Sequence, residues 1–145
     1  MSETQELFWY MVRVHSGRER KFARTLERRI KEAAMGDKIS RVLVPQETIQ
    51  EMGGPVAKKT RTKPLFAGYL MLEGNLEPGE DGIVDKRTED VWYLVRETPG
   101  FGDFVGGSRS PDGKFYVPPM GEAEVSRILG RMEESEERPR LDVNF

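Results

Sequence analysis

A chain of 145 residues, 33% charged and 37% apolar, is long enough for one folded domain with its own core, and it lacks the composition of a disordered acidic chain. It has no cysteine and one histidine, which removes disulfide and thiolate chemistry and leaves too few ligands for a zinc site or a histidine-based acid–base scheme. The formal net charge of -2 conceals segregation: Gly17 to Lys31 carries seven bases and two acids, and Glu73 to Asp90 seven acids and two bases.

A surface sorted in this way offers positive regions to nucleic acid or to an acidic protein, while its acidic regions oppose wholesale wrapping by nucleic acid. The acidic start, Met1 to Glu6, lacks the basic and apolar regions of a secretory signal, and no stretch approaches 18 apolar residues. A cytoplasmic protein that makes no use of a membrane is the expectation.

Phe8 to Val14 is aromatic and β-branched, broken only by Arg13, and predicts a central strand. Ser16-Gly17-Arg18-Glu19 has the form of a capping box, so a helix is expected from there, with Phe22, Leu26, Ile30 and Ala33/Ala34 on its apolar face and Gly36 at its end. Ile39 to Val44 predicts a second strand, stopped by Pro45. Gln46 to Thr62 alternates around Gly53-Gly54-Pro55 and predicts a hairpin with a basic return arm. Leu70 to Leu72 continues as strand.

Glu73 to Lys86 is rich in Gly, Pro and acid and predicts an exposed, mobile loop. Thr88 is placed to cap a second helix that buries Val91, Trp92, Leu94 and Val95. Asp103 to Val105 and Phe115 to Val117 are expected to pair around Pro111-Asp112-Gly113, and Val125, Ile128, Leu129 and Met132 define a last helix. Glu133 to Arg140 reads as linker. This order predicts an α+β fold: a mainly antiparallel sheet of four to five strands flanked by about three helices, with a protruding basic hairpin.

His15 beside Ser16 does not make a catalytic pair, because adjacent residues at a strand end diverge. The glycine-rich points Gly53-Gly54, Gly100-Phe101-Gly102 and Gly106-Gly107 lack the spacing of a phosphate cradle. The acidic pairs Glu80-Asp81 and Glu89-Asp90 lie where water would keep them ordinary carboxylates. No catalytic residue, metal ligand or cofactor site is therefore assigned, and two binding classes remain. One is a single-stranded RNA binder that stacks bases on Phe8, Tyr10, Phe66 and Tyr69. The other is a protein-interaction module whose apolar patch docks a partner helix. Lys63 to Leu72, which joins a basic run to Phe66, Tyr69 and a strand, fits either.

Five blocks, in order and at matching spacing, carry a resemblance over nearly the whole chain. They are Trp9-Tyr10-x-Val12-x-Val14-His15-Ser16-Gly17-x-Glu19-x-Lys21, Met35 to Pro45, Phe66-x-Gly68-Tyr69-Leu70, Trp92 to Gly100 and Phe104-Val105-Gly106. Together they closely resemble the N-terminal (NGN, RNP-like) domain of the bacterial transcription factor family NusG. The resemblance implies a non-enzymatic elongation and antitermination or termination factor, at work on the nucleoid. It would bind the clamp helices of the largest RNA polymerase subunit, bridge the cleft to the lobe of the second-largest subunit, favour processive elongation and affect pausing.

By the same resemblance, Leu65, Phe66, Gly68 and Tyr69 are the expected clamp contacts, and Lys86, Arg87, Thr88, Glu89 and Asp90 face the opposite jaw. Lys58, Lys59, Arg61, Lys63, Arg96 and Thr98 are the candidate contacts to upstream or non-template DNA. Glu97 stands where some relatives carry Asn, and Ala67 replaces the usual proline, so the turn lacks one restraint on φ. The implied organisation is a tail over 1–7, an NGN domain over 8–132 and, over 133–145, a linker toward a C-terminal KOW barrel. Such a barrel would recruit Rho or a ribosomal protein. A specialised paralogue acting on selected operons is the nearest variant.

Overall fold

The computed structural model describes residues 6–52, 58–79, 82–109, 111 and 115–142. Where length predicts a single domain, the chain divides into two compact units, residues 1–44 with 68–120 and residues 45–67 with 121–145. The turn residues Gly53-Gly54-Pro55, Glu80-Asp81 and Asp112-Gly113 lie outside the described residues.

The first unit is built on a four-stranded sheet in the order β2 (Ile39–Leu43), β5 (Tyr69–Gly74), β1 (Phe8–Val14), β6 (Phe101–Phe104), each pair antiparallel. The register sets Tyr10 against Leu72 and Val12 against Leu70, and the pleat puts these side chains on one face with Val14. That face receives Phe22, Leu26 and Ile30 from α1 (Glu19–Glu32) and Val91, Trp92 and Val95 from α2 (Lys86–Arg96). Burying each large side chain contributes about 1.5–3 kcal/mol, so this face holds most of the unit's stability. On the opposite face Trp9 and Met71 are also buried, and the Arg41 guanidinium lies 5.4 Å from the Trp9 ring centroid. β5 ends in Gly74 for a steric reason: a Cβ there would stand 2.0 Å from the Lys38 carbonyl oxygen, in the path of the chain entering β2.

Both ends of α1 differ from expectation. Its cap position is Arg18, with no side-chain cap, and the Arg18 amide donates to the His15 carbonyl at 3.1 Å. The chain therefore turns through Gly17 (φ 88°) before the helix begins, and Ser16 does not cap it. At the other end the helix stops at Glu32, ahead of Gly36. Met35 N–H reaches back to Ile30 O (2.9 Å) and Ala34 N–H to Lys31 O (3.1 Å), a Schellman ending. Its left-handed position is filled by Ala34, at φ 53°.

The segment between β5 and α2, expected to be mobile, is tied to the core. Leu76 and Val84 are buried, and the Asn75 amide donates to Lys38 O at 3.0 Å. The Glu77 carboxylate accepts from the phenols of Tyr10 and Tyr116, each at 2.8 Å. Asp85, not Thr88, caps α2: its Oδ1 accepts from the Thr88 amide at 2.7 Å and its Oδ2 from Lys38 Nζ at 2.8 Å. The Lys38 hydrogen bond, seconded by the Thr88 amide, holds the Asp85 carboxyl below its usual range.

Phe115 also pairs otherwise than expected. β6 joins the sheet edge beside β1, with Phe104 against Val12, while β8 (Phe115–Tyr116) pairs with β7 (Ser108–Arg109). The reason is aromatic packing: Trp92 takes Phe104 and Phe115 edge-on at 4.9 and 6.4 Å, which holds both rings on the α2 side.

The second unit holds the predicted hairpin, β3 (Gln46–Met52) and β4 (Lys58–Pro64), in register from Gln46 with Pro64 to Met52 with Lys58. α3 (Glu122–Glu137) packs on β3, where Ile128 and Ile49 are buried. Of the residues expected to be linker, the described part, 133–142, holds the end of a helix and a strand, and 143–145 lie outside the described residues. α3 continues past Met132 to Glu137, and β9 (Arg140–Asp142) runs parallel to β3. Ser135 Oγ takes the Thr48 amide at 3.0 Å, and the buried Glu47 accepts from Arg140 at 3.0 Å. Among the described residues no helix is long and apolar enough to cross a membrane, and no acidic or histidine cluster could hold a metal ion.

Candidate macromolecular interface

Of the expected clamp residues, Leu65 and Phe66 belong to the hairpin unit and Gly68 and Tyr69 to the sheet unit. In the hairpin unit the Leu65 amide donates to Pro45 O at 2.9 Å, which closes the end of the hairpin; Leu65 itself is half-buried. Phe66 follows, 40% exposed, an unusual position for a large aromatic side chain. In the sheet unit Gly68 is buried with φ 85°. Its carbonyl accepts from the Val14 amide at 2.8 Å, and its own amide points to Glu19 Oε2 at 3.4 Å. Any side chain at this φ is strained, and a Cβ would meet Val14 O at 3.1 Å.

Tyr69 is half-buried, with the Arg13 guanidinium 5.7 Å from its ring centroid and Arg13 in turn 3.6 Å from Asp103. Glu19, like Ser16 and Thr88, does not hold the part expected of it. Glu19 itself is 4% exposed, and its carboxylate serves the Gly68 turn instead of a capping box.

Of the residues expected to face the opposite jaw, Lys86, Arg87 and Glu89 are exposed and Asp90 is half-buried. Arg87 is engaged by the Asp37 carboxylate and, at 3.3 Å, by the Ala34 carbonyl. Thr88 is fully buried, so its side chain is unavailable to a partner. The candidate DNA contacts divide in the same way. Arg61 and Lys63 are exposed on β4, Lys63 directly across from Glu47, and Lys58 and Lys59 continue that strand with side chains outside the described set. Arg96 is exposed at the end of α2. Thr98 is 2% exposed: its hydroxyl donates to Leu94 O at 2.8 Å and accepts from Arg29 at 3.1 Å, so it closes the helix end. Of the four rings expected to stack bases, Phe66 is exposed and Tyr69 half-buried, whereas the other two face the core. Tyr10 is fully buried with its phenol held by Glu77, and Phe8 packs against the same core.

One feature has no counterpart in the sequence reading. Between α2 and the strands β6 to β8 lies a cleft of about 500 Å³. Its floor is aromatic, made by Trp92 with Phe104 and Phe115, whose centroids are 5.2 Å apart, and by Phe101 beside them. Tyr93, 55% exposed, and Arg96 stand on the helix wall, with Arg109 and Asp103 across from them. Tyr93 lies between the buried Trp92 and half-buried Leu94, and that outward aromatic was the only local sign of the cleft.

Known proteins agree with the blocks noted in the sequence. The family model described as "Transcription termination factor nusG" matches residues 7–129. The transcription termination/antitermination protein NusG of Bacillus subtilis is 39% identical over 137 residues, covering 94% of this chain and 69% of that protein. NusG of Thermus thermophilus is 36% identical over 142 residues, with 94% and 69% covered. Among solved structures, one titled "Domain interaction in Thermotoga maritima NusG" shares the fold at a TM-score of 0.58 and 23% identity, covering 90% of this chain and 60% of that one. The α+β sheet and helices, the ordered blocks and the near-complete family match together establish that this chain belongs to the NusG family of transcription termination/antitermination factors.

Proposed function

We propose that this domain is a non-enzymatic elongation-factor module that binds the clamp helices of the largest RNA polymerase subunit and bridges the cleft toward the lobe of the second-largest subunit. Holding the clamp closed on nucleic acid favours processive elongation and modulates pausing and termination, in the cytoplasm, on transcribed DNA. The observation that carries the reading is the exposure of Phe66 in a segment whose next turn, at Gly68, is fixed by Val14 and supported by Glu19. A stiff aromatic side chain in water has its use in a partner's pocket, where such residues dominate binding energy. Leu65 and Tyr69 add half-buried flanks. Lys86 and Glu89 are the exposed candidates for the opposite jaw, Arg61, Lys63 and Arg96 the exposed candidates for upstream or non-template DNA, and Lys58 and Lys59 are further candidates on the strand of Arg61.

The test is binding to an isolated clamp-helix coiled coil, set against binding to single-stranded RNA across a salt series. Phe66→Ala and Tyr69→Ala are expected to weaken coiled-coil binding by roughly 30-fold, about 2 kcal/mol each, with the thermal midpoint of Phe66→Ala near that of the parent. Steeply salt-dependent RNA binding with no coiled-coil binding would sink the proposal.

A further inference from the structure

β2 is an edge strand. It pairs with β5 alone, and among the described residues Ser40 to Leu43 make backbone hydrogen bonds only within that pair. The amides and carbonyls that point away from β5 are therefore open to an added strand. Beside this edge runs α1, and between the two lies a groove of about 400 Å³. Its apolar lining is Ile30 from the helix, with Ile39 and the half-buried Val42 from the strand. A helix next to a free strand edge, with an apolar groove between them, is an arrangement in which an extended peptide adds to a sheet. The backbone ladder then gives affinity, and alternate side chains enter the groove.

Charge selects the occupant. Lys31 and Glu27 line the groove, and Arg24 stands about two turns before Lys31 on the same flank of α1. Arg41, at the middle of β2, lies against Trp9 on the other face of the sheet. Among the described residues none of these three cations has a carboxylate partner. Glu73, across from Arg41 in β5, accepts from Ser40 instead, at 3.1 Å. The edge therefore carries a cation in excess of its acids, which suits an acidic strand. A second copy of this chain fits poorly. Two β2 strands about a two-fold axis centred on Arg41 would set that residue opposite its own image, and like charges directly opposite destabilise a pair. A nucleic acid would meet the cations but leave the apolar lining and the outward carbonyls unmatched.

We infer that β2 and α1 take an extended acidic segment of a partner protein as a fifth strand of this sheet. An apolar side chain enters the groove against Ile30 and Val42, and carboxylates reach Lys31 on one face and Arg41 on the other. None of these residues is among the clamp, jaw or DNA candidates, so the inference stands apart from the clamp reading.

The probe is a labelled ten-residue peptide of alternating valine and glutamate, titrated with the whole chain at 50 and 300 mM salt and read by fluorescence anisotropy. Lys31→Glu and Arg41→Glu are each expected to weaken its binding roughly 3- to 10-fold at 50 mM salt and less at 300 mM, since each turns an exposed attraction into a repulsion. Lys31 is exposed and unpaired among the described residues, so the thermal midpoint of its variant should match that of the parent. Two further peptides carry N-methyl groups at the odd or at the even residues. A strand turns its N–H groups to its two sides alternately, so one of them should bind as the unmethylated peptide does and the other roughly 100-fold more weakly, the loss of two or three backbone hydrogen bonds. Hydrogen exchange at the β2 amides that face away from β5 should slow on binding.

Equal affinity of the two methylated peptides overturns the inference, because the contact is then no strand addition. Parental affinity in both Lys31→Glu and Arg41→Glu overturns it too. So does an absence of binding at 50 mM salt, which would leave Arg41 as a guard that keeps the edge from pairing. Protection of the β2 amides that rises with protein concentration and needs no peptide would make the occupant a second copy, and would equally overturn it.

Discussion

Replacing Glu77 by alanine removes the acceptor of two phenols in one step. Tyr10 donates to Oε1 and Tyr116 to Oε2, both at 2.8 Å, from positions 67 and 39 residues away in the chain. A hydrogen bond to a charged acceptor contributes about 1.5–3 kcal/mol, and Glu77 is half-buried, so the lower end applies to each. The Tyr10 hydroxyl would still accept from the Leu76 amide at 3.3 Å, but its own proton, inside a fully buried residue, would lose its partner. The expected cost is about 3 kcal/mol, equivalent to a fall of roughly 6–12 °C in thermal midpoint for a chain of this size, and Glu77→Gln should lose about 1 kcal/mol.

The pH dependence carries its own sign. Burial first, and then Glu77, raises the Tyr10 pKa and pushes that of Tyr116 up to about 12, from an ordinary 10.0. Folded-state pKa values above the unfolded ones mean that stability is fully present below pH 10 and falls as pH rises through the folded values. In Glu77→Gln that alkaline decline should be shallower, because the carboxylate part of the shift is gone. Urea unfolding at pH 7 and at steps above pH 10, with hydrogen exchange at the Leu76 amide, measures all of this. A Glu77→Ala variant within 0.5 kcal/mol of the parent, with Leu76 exchange unchanged, would show that Leu76 and Val84 alone hold the segment and that the carboxylate is incidental.

Two further substitutions probe the backbone. Ala34→Gly should stabilise the fold by about 0.5–1 kcal/mol: a non-glycine residue in the left-handed region costs ~1–2 kcal/mol, and glycine's extra freedom in the unfolded chain returns part of the gain. Denaturant midpoints report it, and a loss of stability would mean that the Schellman ending of α1 is not the strained element. Gly74→Ala should cost about 3 kcal/mol or more, since its Cβ would sit 2.0 Å from a backbone oxygen that cannot rotate away. Amide exchange in β2 should rise with it; a variant as stable as the parent contradicts the close approach of Lys38.

Elements whose cause is local were legible in the sequence, and those decided at long range were not. β1, the β3/β4 hairpin and the inner face of α1 follow from residue type and period, and they stand where the pattern puts them. The errors cluster where two local solutions are equally good and a distant group chooses. Asp85 and Thr88 can each cap α2; Lys38, 47 residues upstream of Asp85, supports Asp85, and Thr88 is buried. Glu19 can serve a capping box, but Gly68, 49 residues away, has an amide that points to it. Glu77 lies in an acidic, Pro- and Gly-rich stretch that has every local mark of a solvated loop. The cleft has no local mark except Tyr93, because its floor is assembled from rings at 92, 104 and 115.

The same contrast bears on the proposed clamp contact. Family resemblance singled out Leu65 to Tyr69, and Ala67, in place of the usual proline, predicts a looser turn. The backbone at the next residue compensates by other means. Val14 N–H holds the Gly68 carbonyl at 2.8 Å, the buried Glu19 carboxylate faces the Gly68 amide, and the positive φ of Gly68 is one that an alanine in its place could not adopt without strain. A proline would fix one torsion of its own residue, whereas these contacts fix the peptide that leads into Tyr69 and anchor it to β1 and α1. On the sheet side, therefore, the path of the chain into Tyr69 is set by Glu19 and Val14.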